Sequence, residues 1–261
     1  MSVDKKIKSL RILARKNSIT IINHIKQTHI ARASYNSTKA QDLCMFCSSK
    51  NNLTKEHVIP RWTFENCTKR FFTTKINGLD QTYNKTTIPA CSDCNNDRLS
   101  SLEKYINNLF LQNGPDQNYF SANELSNIIR WLEIIDFKFQ VLNAKRVFTA
   151  SKEKGFIPYL ADFPLSVLRD NINYSPSKAV SELRRSQSRI TKKSKSLNLN
   201  SLVVLKTLNK SFHFFHKMDE FIFIELPQFN LALFYFFKRT FLTIHEGQIE
   251  AMKIIEQAYN R

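Results

Sequence analysis

Glycine is scarce in this chain, with 4 among 261 residues, and no fixed repeat runs through it, which excludes a collagen-like protein. Long apolar runs are missing as well. The longest, "NLALFYFF" from Asn230 to Phe237, is too short to cross a bilayer and is closed by Lys238 and Arg239. The opening "MSVDKKIKSLRILARKNS" has neither the apolar stretch nor the small-residue cleavage site of a secretory signal. The expectation is a soluble cytoplasmic protein with no membrane partner. Acidic residues are also in deficit, 22 Asp and Glu against 39 Lys and Arg.

That deficit leaves a formal charge of +17. Such a surface favours polyanions, because each phosphate it neutralises releases counterions. Nucleic acid is therefore the first expected partner, set against a solvated lysine surface produced by biased composition. A hydrophobic share of 42%, with 21 phenylalanines, is enough to build a core. Disulfides are rare in a reducing compartment, so five cysteines with two C-x2-C pairs point to metal instead.

Along the chain, residues 4 to 31 read as a basic helix, with Ile7, Leu10, Leu13 and Ala14 near helical spacing. A cysteine-bearing unit follows. It is predicted to hold a short strand near Val58 and Ile59, a long loop, a strand near Thr86 to Ile88, and a helix capped by Ser92 or Asp93. "SANELSNIIRWLEIIDFKFQVLN" reads as another helix, with Ser121 and Glu124 forming a capping box. Pro158, Pro164 and Pro176 mark an irregular section. The basic segment "SKAVSELRRSQSRITKKSK" is either an amphipathic helix against a phosphate backbone or a linker. Four strands and a closing helix over 246–259 complete the chain. The fold class expected is α+β: a basic helical segment over 1–38, a metal-bearing unit over 39–115, and an α+β accessory domain with an antiparallel sheet over 116–261.

Cys44 and Cys47 form one C-x2-C pair and Cys91 and Cys94 the other. Each turn presents two thiolates, and two turns supply the four sulfurs of a closed tetrahedral Zn2+ site. Cys67 lies outside both pairs and reads as a packed or surface thiol. Closing such a site would bring the start of the following helix, and with it Asn95, towards Glu56 and His57 in "EHVIP".

The order C-x2-C, "EHVIP", C-x2-C-N resembles the HNH endonuclease superfamily, over roughly residues 40–105. The resemblance implies a ββα-metal core. It makes His57 the general base, Glu56 and Asn95 ligands of a catalytic Mg2+ or Mn2+, and the four cysteines a structural zinc knuckle. The middle asparagine of the family pattern falls on Thr86, with Asn84 the nearest asparagine, and Arg98 is placed to hold a phosphate oxygen. Adjacent Glu56 and His57 serve one site only if the strand turns there. Glu103 is either a supporting carboxylate or an ordinary helix surface residue, and His213 and His216 read as packed or surface histidines. The loop holding Arg61, Trp62, Lys69, Arg70, Phe71 and Phe72 is either a nucleic-acid contact or local core.

By this resemblance the chain is a metal-dependent endonuclease acting on DNA, an effector of antiphage defence or of a mobile element, gated by a partner protein such as an ATPase. Two alternatives stay open on sequence: the same nuclease acting on RNA, and a non-catalytic zinc-stabilised nucleic-acid-binding module.

Overall fold

The computed structural model describes residues 2–30, 41–65, 71–73, 80–83, 86–113, 120–147, 176–193, 197–217 and 219–259. Pro158, Pro164, Cys67, Lys69, Arg70 and Asn84 lie outside the described residues, whereas Pro176, expected in the irregular section, begins a helix.

The N-terminal segment is two helices rather than one, α1 (Val3–Lys16) and α2 (Ser18–Ile25). The break falls at Asn17, whose amide donates to Leu13 O at 2.9 Å while its oxygen accepts from Ser48 Oγ at 2.6 Å. An asparagine that bonds its own backbone interrupts a helix. Here the interruption also fastens the helix pair to the cysteine region.

Strand β1 (Leu53–His57) pairs antiparallel with β4 (Thr87–Cys91), setting Glu56 opposite Ile88 and His57 opposite Thr87. Between them lie a 3-10 turn (Arg61–Thr63) and a small hairpin of β2 (Phe71–Thr73) with β3 (Asp80–Thr82). The first strand thus lies N-terminal to the apolar Val58–Ile59 pair predicted for it. Those two residues are fully buried in the bend that follows. Trp62 belongs to the core, stacked on Trp131 at 5.5 Å between ring centroids.

After β4 the chain enters a wide π-helical turn (Asp93–Leu99) that continues into α3 (Ser100–Gln112). Ser92 stands at its start without a side-chain capping bond. The next helix, α4 (Ala122–Val147), begins with the expected capping box: Ser121 N–H donates to Glu124 Oε2 at 2.6 Å, and Glu124 N–H donates to Ser121 Oγ at 3.3 Å.

Helix α4 is the axis of the molecule. Every residue from Asn127 to Leu142 is buried, as expected of a helix enclosed on all sides. The basic segment forms α5 (Pro176–Thr191), which packs Val180, Leu183, Ser186, Gln187 and Ile190 inward and leaves Arg184, Arg185 and Ser188 exposed. Strands β5 (Leu202–Lys206), β6 (His213–Lys217), β7 (Phe221–Leu226) and β8 (Leu231–Phe236) form one antiparallel sheet in the order β5-β8-β7-β6.

Alternation sends Leu231, Leu233 and Tyr235 into the main core with α4. It sends Ala232, Phe234 and Phe236 into a second cluster under α6 (Ile244–Tyr259). Gly247 of α6 is where the helix meets the sheet, and a Cβ there would stand 3.1 Å from Asn200 O. The main cluster runs from Leu10 through Cys94 and Trp131 to Tyr235, so all three sequence segments share one core.

With no wet face, α4 must pair its charges internally. Asp136 accepts from Arg189 at 2.5 Å and lies 2.8 Å from His216 Nε2. Burial disfavours its charge, but these hydrogen bonds outweigh burial and hold its pKa below the usual carboxylate range. Arg189 also reaches Asp219 at 2.6 Å. Asp136→Ala strips two basic partners of a buried carboxylate and is expected to cost at least about 3 kcal/mol in urea unfolding. An unchanged midpoint would contradict this role.

Candidate functional site

The sulfur atoms of Cys44, Cys47, Cys91 and Cys94 all lie within 4.8 Å of one another, and those of Cys47 and Cys91 are 3.5 Å apart. A Zn–S bond of ~2.3 Å implies a tetrahedron with edges of about 3.8 Å, so the four sulfurs fit a zinc ion. Local backbone makes the cage. Cys44 N–H donates to Ser49 O at 2.8 Å and Ser48 N–H to Cys44 O at 2.9 Å, while Phe46 N–H approaches Cys44 Sγ at 3.5 Å. The second pair spans the end of β4 and the π turn, and Ser92 N–H donates to Asn52 O at 2.9 Å to join the two halves.

The thiols by themselves are electrostatically frustrated. A hydrogen bond from Cys94 pulls Cys44 down to about 5, whereas burial pushes Cys47 up to about 12. The hydrogen bond with Cys44 and burial raise Cys94 as well. A dication removes that conflict by favouring four thiolates together.

Asn95 follows Cys94 directly, and its amide donates to Thr54 Oγ1 at 2.8 Å. Thr54 in turn donates to Ala90 O at 2.9 Å. Thr54 and Glu56 share one face of β1, so Asn95 is anchored two residues along the strand from Glu56. Strand β1 stays regular through His57, and the chain bends only at Val58 and Ile59. By alternation Glu56 turns inward while His57, half-buried, is on the opposite strand face. Thr86 is buried and holds the bend through its backbone, its carbonyl accepting from Val58 N–H at 2.9 Å.

Glu56 meets a residue that motif reading overlooks. The ammonium of Lys138, from the middle of α4, donates to Glu56 Oε1, to His57 O at 2.9 Å and to Glu103 Oε1 at 3.3 Å. Burial disfavours the Lys138 charge, but the two carboxylates prevail and its pKa is raised. Burial pushes Glu103 up to about 7, opposed by Lys138 and assisted by the neighbouring Glu56. Glu103 thus takes part in the Lys138 ion-pair cluster. The only sequence signal for Lys138 is a lysine inside "EIIDFKFQVL", a helix without a polar face.

Arg98, in the π turn, reaches across to α1, its Nε donating to Ser9 Oγ at 3.2 Å, beside a Lys6–Asp97 ion pair at 2.5 Å. His216 pairs with Asp136, and His213 Nδ1 lies 2.6 Å from Glu225 Oε2, so both histidines belong to the sheet's polar contacts.

Among the described residues the cysteine quartet is the one group of at least three His, Cys, Asp or Glu side chains with metal-holding geometry, and no helix is long and apolar enough to cross a membrane. Comparison with protein-family models, curated proteins and solved structures finds no match.

In a Cys67→Ser background, the four clustered cysteines are expected to resist a thiol reagent until a strong zinc chelator is added. All four should then react as the β1–β4 hairpin loses its anchor. Four thiols that react at once without chelator would argue against a metal-closed cage.

Proposed function

We propose that this chain is a metal-dependent endonuclease of the HNH type that hydrolyses phosphodiester bonds in DNA, with zinc held by Cys44, Cys47, Cys91 and Cys94. The carrying observation is the anchoring of Asn95, at the start of the helix, to the Glu56 face of the strand that ends in His57. Strand, strand and helix follow one another beside the sulfur cage, the element order of a ββα-metal core, and the charge of +17 suits a phosphate polymer.

The resemblance assigns His57 as general base, and because it lies on the strand face opposite Glu56 the strand end must turn for the two to serve one site; a neutral imidazole then accepts the proton of the water that attacks phosphorus, and the bond to O3′ breaks. Glu56 and Asn95 offer a carboxylate and an amide oxygen, hard donors that suit Mg2+ or Mn2+. Such an ion, when bound, neutralises the phosphate and the departing oxygen. Thr54 fixes the orientation of Asn95, and Thr86 sets the bend beyond His57 through its backbone. A role in phage defence, gated by a partner such as an ATPase, fits a nuclease whose acidic residue is held by an internal cation.

That same ion pair favours a second reading, a zinc-stabilised module that binds nucleic acid without cutting it, because Lys138 already compensates Glu56. Supercoiled plasmid incubated with Mg2+ or Mn2+ decides between them. Nicking that stops with EDTA and falls about 100-fold or more in His57→Ala is the expected result. Full activity in His57→Ala would remove His57 as base. Salt-sensitive binding without cleavage, with and without neighbouring-gene products, would establish the binding module, and a parallel RNA substrate tests the polymer.

A further inference from the structure

Two basic helices from opposite ends of the sequence meet at one hydrogen bond. Arg15, near the end of α1, donates from Nη2 to the carbonyl of Thr191, the last residue of α5, at 2.5 Å. We infer that the joined outer faces of α1 and α5 form the surface that grips the phosphate backbone of double-stranded DNA. The inference deepens the nuclease reading, resting on it only for what is done to the DNA once held.

Helical spacing places the charges. Lys5, Lys8, Ile12 and Arg15 recur at three- and four-residue steps and make one exposed stripe along α1. Arg184, Ser188 and Thr191 share a face of α5 by the same spacing, and Arg15 lands on that face. Lys16 and Lys192, both exposed, flank the junction in sequence. The acidic residues on the two helices are Asp4, at the start of α1, and Glu182, which is buried. Among the described residues, Lys8, Lys16, Arg184 and Lys192 form no ion pair. A helix C-terminus would ordinarily weaken such a surface, because its last carbonyls carry partial negative charge. Here arginines cover them: Arg130 donates to Arg189 O at 3.0 Å and to Lys192 O, and Arg15 to Thr191 O. The meeting point therefore stays positive.

The stripe is also fastened to the candidate site. Lys6 donates to Asp97 Oδ1 at 2.5 Å and to Ser101 Oγ at 2.9 Å, and Arg98 Nε donates to Ser9 Oγ at 3.2 Å. Asp97 and Arg98 belong to the π turn that carries Asn95, so α1 leads from that turn to the end of α5. From Lys5 to Arg15 the helix rises about 15 Å, roughly four phosphate steps along one strand. Neither helix carries an aromatic residue on which unpaired bases could stack, which favours a duplex over a single strand. A membrane surface would need an apolar face as well, and Leu10, Ala14, Val180, Leu183 and Ile190 are buried in the core.

The test titrates zinc-loaded full chain, without added divalent metal, against a short fluorescent DNA duplex over a series of salt concentrations. Wild type is set beside the triple variant Lys8→Gln, Lys16→Gln, Lys192→Gln and a charge-matched control, Lys206→Gln, Lys210→Gln, Lys253→Gln, on β5, the following loop and α6. The first variant is expected to bind about tenfold or more weakly near physiological salt, with a salt slope smaller by about 2 to 3, while the control keeps most of its affinity. Both should melt near the wild-type temperature, since every substituted lysine is exposed. Equal losses in the two variants would overturn the inference, because charge would then act without a place. So would a wild type that does not bind the duplex, or one that prefers duplex RNA or anionic lipid vesicles through the same three lysines. Nothing is cleaved here, so a chain that binds as expected yet never nicks plasmid keeps this surface and loses the nuclease reading.

Discussion

Four sulfur atoms brought within 4.8 Å of one another fix the geometry on which the rest of the site depends. They come from a turn before β1 and from the junction of β4 with the π turn, so holding them together closes the hairpin at its root. A two-stranded hairpin alone is marginal in water. A metal held by the four sulfurs would fasten it, with α3 behind it, as a frame that has Glu56 and His57 at its far end and Asn95 at its root. The contact of Asn95 with Thr54 lies beside that closure, one residue beyond Cys94.

The second constraint is the burial of α4. A helix enclosed on all sides forces each charge on it to find a partner. Its charges therefore reach outward in opposite directions, Asp136 to α5 and the sheet, Lys138 to β1 and α3. Removing either leaves a buried charge uncompensated, which is costlier than replacing the whole group by apolar residues. Retaining such pairs in a core links the hairpin unit to the C-terminal unit through one rigid element.

Local patterns were legible in the chain. The cysteine spacing, the Ser121–Glu124 capping box, the four C-terminal strands and the closing helix all depend on residues close in sequence, and all stand in the structure. Where a distant residue decides, the reading departs from the fold. At Asn17, where the first helix splits, the side chain donates to Leu13 O and accepts from the distant Ser48 Oγ. Val58 and Ile59 look like strand but are buried in a bend, since apolarity reports burial and not extension. Lys138 carries no motif, and its importance follows only from what surrounds it.

Whether a metal closes the hairpin is read most directly by X-ray absorption at the zinc edge of the protein as isolated. One zinc per chain with four sulfur neighbours at about 2.3 Å is the expected result. A shell containing nitrogen or oxygen, or a folded protein carrying no zinc, would contradict it.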